Sequence, residues 1–89
     1  KTGRKIHLAK KQWSHITKKH PQVADYQEEL SDTLKNPLKI TSYGLDKSIG
    51  YYYKYIKHRI SKEKYLLVVV KYLNGDGFVI SAFFEKSIR

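Results

Sequence analysis

Cysteine is missing from this sequence, which removes disulfides, thiolate metal sites and cysteine nucleophiles together and leaves the redox compartment open. Methionine is missing too, so the chain reads as a processed or excised piece of something longer, either a toxic C-terminal domain or a trimmed fragment. No apolar run approaches the roughly 20 residues needed to cross a membrane. The basic start Lys1–Lys11 has no apolar stretch behind it to make a signal peptide, and no membrane partner is expected. Acidic residues are scarce, eight against eighteen Lys and Arg, for a formal net charge of +10. That excess repels itself in a compact fold and is most simply explained by a polyanionic partner, although a surface built for solubility would share it.

What is present argues for one folded domain. Of the 89 residues 40% are hydrophobic, and they gather in periodic segments that a disordered chain of this charge would not carry. Lys1–Lys11 reads as a basic lead-in and residues 12–89 as the domain. Trp13 and Ile16 mark a short helix over Lys10–Lys19, ended by Pro21, which drives His20 out of the helical region. A second helix is expected from Pro21, with Val23, Tyr26, Leu30 and Leu34 as its apolar stripe and Asn36-Pro37 as its stop.

Beyond Pro37 the period turns extended. Strands are expected at Leu38–Tyr43, Ile49–His58, Tyr65–Leu73 and Phe78–Glu85, with turns at Gly44–Ser48 and Asn74–Gly77, a loop at Arg59–Glu63 and a basic tail over Lys86–Arg89. A two-residue turn at Gly75-Asp76 would pair Val70 with Ser81 and put Lys71 on the opposite face. The fold class expected is α+β: two N-terminal helices packed on a four-stranded antiparallel meander sheet.

Two stretches suggest chemistry. In Trp13-Ser14-His15-Ile16-Thr17-Lys18-Lys19-His20-Pro21, two histidines five apart stand among lysines. On a helix they would lie about 140° apart, unlike a stacked metal pair, so no metal and no cofactor is expected. Acid–base work suits them better, since imidazole exchanges protons near neutrality and the 2′-hydroxyl of RNA attacks its own phosphate once deprotonated. Lys18 and Lys19 would offset the charge developing on that phosphate. The competing structural reading has His15 packed on the sheet and His20 capping the second helix.

In Tyr51-Tyr52-Tyr53-Lys54-Tyr55-Ile56-Lys57-His58-Arg59, aromatics alternate with cations. Planes for bases and charges for phosphates are what single-stranded RNA requires, which nominates Tyr51, Lys54, Lys57 and Arg59; tyrosine's ordinary taste for strands is the rival account. Ser81, a hydroxyl within the apolar Phe78–Phe84 strand, needs a partner from backbone or substrate.

In their order these landmarks resemble the barnase–EndoU–colicin–RelE superfamily of small nucleases, in its phage-associated branch. The shared elements are Trp13-Ser14-His15-Ile16, Lys19-His20-Pro21, the tyrosine- and lysine-rich strand, the Val-rich strand, and Ser81-Ala82-Phe83 where the branch has Thr-Ala-Tyr. The resemblance spans about Gln12 to Phe84. It implies a metal-independent ribonuclease, often a toxin, with His15 and His20 as the helical histidines, Tyr53 or Lys54 at the reactive-strand position and Ser81 as the final hydroxyl. Its partners would be RNA and, as for many toxins, an acidic immunity or antitoxin protein. It would work in the cytoplasm, its own or that of a cell into which it is delivered. The alternative is a module that binds RNA without cutting it, and a basic surface docking an acidic protein is a third class.

Overall fold

The structure, a computed structural model, describes residues 5–44 and 46–88. The first four residues of the lead-in, Leu45 of the expected turn and Arg89 of the tail lie outside the described residues.

The chain runs β1 (Ile6–His7), α1 (Lys10–Lys19), a 3-10 segment (Pro21–Tyr26), α2 (Gln27–Lys35), β2 (Lys39–Tyr43), β3 (Asp46–Tyr55), β4 (Tyr65–Leu73) and β5 (Asp76–Glu85). The strands form one sheet in the order β1-β5-β4-β3-β2. Four of them are the antiparallel meander expected from the sequence, but the sheet has a fifth strand and is mixed, because β1 joins β5 in parallel. This corrects the four-stranded antiparallel plan. Two residues are too short to show a period, and the pairing depends on a distant glycine. Gly77 donates its N–H to the Lys5 carbonyl at 2.8 Å, and a Cβ on Gly77 would stand 2.9 Å from Val70 Cγ1 and 3.3 Å from Ile6 Cγ1.

α1 ends where the sequence says it must. His20 adopts φ −130° and ψ 76° before Pro21, and Lys18 and Lys19 sit in the last turn, where the helix dipole favours cations. The second helix is split: Pro21–Tyr26 winds as a 3-10 helix and only Gln27–Lys35 is α-helical. The expected stripe nonetheless holds its face, with Val23 and Leu30 buried and Tyr26 and Leu34 packed beside them.

Both helices and the 3-10 segment cover one side of the sheet. There Ile16, Val23 and Leu30 meet Tyr52, Ile56, Leu66, Val68, Val70, Val79, Ala82 and Phe84. Polar groups under the helices are matched: Tyr52 and Tyr72 share a hydroxyl–hydroxyl bond of 2.6 Å, and buried Thr33 donates to the Glu29 carbonyl at 2.6 Å. On the other side a smaller cluster of Tyr53, Leu67 and Val69 is ringed by Ile49, Tyr51, Tyr65, Phe83 and Ile88. β4 is therefore buried on both faces from Leu66 to Val70, which is why its sequence shows no alternation.

The β4–β5 turn differs from the expected one by a residue. Asn74 and Gly75, with φ 54° and 86°, form the turn, so Leu73 pairs with Asp76 and Lys71 with Phe78. Positive φ at both central positions is the requirement Asn-Gly meets best, and that preference prevails over Gly-Asp.

Candidate active site

A β-bulge decides which face carries the last hydroxyl of the strand. Val70 pairs with Val79 and Val69 with Ser81, leaving Ile80 as an extra residue in β5. An unbroken ladder would set Ser81 opposite Val68, pointing under the helices. The bulge reverses that parity and turns Ser81 and Phe83 to the side the helices leave uncovered, with Tyr51, Tyr53, Leu67 and Val69.

α1 is seated along the outer edge of β5 beyond the short β1. Gln12 Nε2 donates to the Ile80 carbonyl at 2.9 Å, and eight residues on the His20 ring lies 5.4 Å from the Phe83 ring, tilted by 33°. About 12 Å of helix thus runs beside about 10 Å of strand. His15 lies three residues past Gln12 on α1 and is exposed to solvent. His20 does stand at the N-cap position of the 3-10 segment, where its carbonyl accepts from the Val23 N–H at 3.1 Å. His15 is not packed into the sheet, and His20, half-buried, makes no side-chain cap to the segment that follows it. Lys18 and Lys19 are exposed at the same end of α1.

The tyrosine-rich strand divides by parity as its sequence requires. Tyr51 and Tyr53 belong to the uncovered side, where Tyr53 is fully buried and Tyr51 half-buried. Lys54 belongs to the helix side, where its ammonium donates to Asp32 of α2 at 2.6 Å. That bond, helped by the Asn36 amide, holds the Asp32 carboxyl below the ordinary carboxylate range.

Arg59 also lies away from the His20–Ser81 region. Its guanidinium sits 3.7 Å over the Phe84 ring and 5.9 Å from that of Tyr26, while Nε donates to the Glu63 carbonyl at 2.8 Å. Lys57 is exposed in the same loop, where Lys64 Nζ donates to the Lys57 carbonyl at 3.4 Å and to that of Arg59. The structure sets His20 against Phe83, on the face that also carries Ser81, Tyr51 and the buried Tyr53, while His15, Lys18 and Lys19 are exposed on α1. Lys54, Lys57 and Arg59 stand apart from them. Among the described residues no three His, Asp or Glu side chains gather as a metal site would require.

Lys71 is a cation on the uncovered face that the sequence register sends elsewhere. It pairs with Ile49 and Phe78, two residues along β4 from Val69. Its ammonium donates to Ser48 Oγ at 2.8 Å, and the Ser48 hydroxyl and N–H both donate to Asp46, keeping that carboxyl below its ordinary range. Moving the turn to Asn74-Gly75 shifts the register by two residues and sets Lys71 opposite Phe78, but it leaves the faces as they were, and only the bulge brings Ser81 to the Lys71 side. The bulge at Ile80 leaves no mark in the sequence.

The family to which this basic α+β domain is matched puts it in the class of nucleases. The chain is a member of the phage Barnase–EndoU–ColicinE5/D–RelE-like nuclease 2 family, whose model matches residues 1–89, the whole chain. No curated protein and no solved structure matches it.

Proposed function

We propose that this nuclease-family domain is an endoribonuclease that cleaves single-stranded RNA by attack of a 2′-hydroxyl on the adjacent phosphate, with no metal in the step. One of His15 and His20 takes the 2′-proton as the 2′-oxygen bonds to phosphorus. The other gives a proton to the departing 5′-oxygen as its bond to phosphorus breaks. The products are a 2′,3′-cyclic phosphate and a free 5′-hydroxyl. Lys18 and Lys19 offset charge on the phosphoryl oxygens, and Ser81 orients the substrate. The observation that carries this reading is the His20 ring resting on Phe83, two residues from Ser81 on the uncovered face.

Cleavage of a labelled RNA with and without EDTA tests it. The chelator should leave the rate unchanged, and His15→Ala and His20→Ala should each cut it by about 10²- to 10⁴-fold, the usual contribution of a positioned acid or base. RNA affinity should change little. A wild-type protein that leaves RNA whole at every pH from 5 to 9 would end the proposal. The aromatic content of the same face, with Tyr51, Tyr65 and Phe83, supports a second reading, a module that holds RNA without cutting it. In that case the histidine variants change nothing. In the cytoplasm of a host or target cell such an activity is toxic, and the charge of +10 suits neutralisation by an acidic immunity or antitoxin protein.

A further inference from the structure

We propose that the ring pair His7–Phe78 and the Lys71 ammonium form a second nucleotide subsite, taking one base and one phosphate of the strand that passes Ser81 and His20. The proposal rests on the RNA reading given above.

Three features support it. The rings of His7 and Phe78 stack, with centroids 5.0 Å apart and planes 25° from parallel, yet His7 is exposed and Phe78 is 39% exposed. Neither belongs to the hydrophobic clusters on the two sides of the sheet. An aromatic face kept in water with no packing duty is a surface on which a base can stack, and every base has a π-face to offer.

Lys71 is the cross-strand partner of Phe78, on the same face and about 5 Å away at the Cβ atoms. Among the described residues its ammonium gives one hydrogen bond, to Ser48, and a lysine has three donors. Ser48 is in turn fixed by Asp46, which accepts from its N–H at 2.9 Å and from its hydroxyl. The cation is therefore held in place before any phosphate arrives, and of the two carboxylates nearby Asp46 is engaged by Ser48 and Asp76 by His7 Nε2 at 3.4 Å.

The subsite is also continuous with the first. Phe78 and Phe83 lie on one face of β5 with Ser81 between them. At about 3.3 Å per residue they are roughly 15 Å apart, so they would hold different nucleotides of one strand.

Fluorescence anisotropy with 2′-O-methyl RNA oligomers of three to nine nucleotides, which lack the attacking hydroxyl, separates the outcomes. For the longest oligomer, Phe78→Ala and Phe78→Leu should both weaken binding by about five- to hundred-fold, Leu being unable to stack. Lys71→Gln should flatten the plot of log affinity against log salt by about 0.7. Lys54→Gln, a change on the helix side, should do neither, and the trimer should bind all variants alike. Should Phe78→Leu and Lys71→Gln hold the nonamer as wild type does, with the same salt slope, the subsite is refuted while the cleavage reading stands. If wild type binds no oligomer of any length and cleaves no RNA, both fall.

Discussion

Gly77 and Arg59 show how far the role of a side chain can lie from what its type suggests. In sequence Gly77 is part of a turn; in the fold it is the gap through which Ile6 reaches the sheet. Gly77→Ala should cost about 1–3 kcal/mol, the usual penalty for overpacking, because Val70 is a stiff core residue with nowhere to move. Urea denaturation of the variant checks this. Arg59 has the look of a phosphate ligand but lies against Phe84 and Tyr26 under the helices. Arg59→Ala should therefore lower stability by roughly 1–2 kcal/mol and leave the salt dependence of RNA binding unchanged. Asp32 offers a third test at this scale. Its carboxyl is held below 3.8 by Lys54, so the bond stabilises the fold above about pH 3.8 and is lost as pH falls through the lower folded value. Thermal midpoints of wild type and Asp32→Asn should differ near neutrality and draw together below that pH.

At the scale of elements, what was legible followed periodicity and proline. The end of α1 at Pro21, the stripe from Val23 to Leu34, the parity of Tyr51 to Ile56 and the doubly buried β4 all came from local spacing, and each is present. What was not legible depended on pairing between distant segments. β1 exists because β5 presents Gly77, and the face of Ser81 is set by one inserted residue at Ile80. The candidate site divides on the same line. The histidines could be found from their neighbours in sequence, whereas the grouping of His20, Phe83 and Ser81, and the presence of Lys71, needed the register. The turn itself can be tested. Gly75, at φ 86°, should lose about 1–2 kcal/mol on replacement by Ala, since an L side chain resists that backbone, and denaturant midpoints would show it.

At the scale of the whole molecule, the net charge of +10 sets the long-range behaviour. RNA affinity should fall linearly on a log–log plot as salt is raised, by about 0.7 for each phosphate contacted, and a titration from 50 to 300 mM salt would count those contacts. The sheet order has a further consequence, for synthesis. β1 and α1 come early in the chain, yet both rest on β5, the last strand. A ribosome delivers the N-terminal segments first, and they must wait for about seventy residues more before their seat exists. Until then His20 has no Phe83 to rest on, so under the function proposed above a half-made chain still tethered among ribosomal RNA has no assembled site.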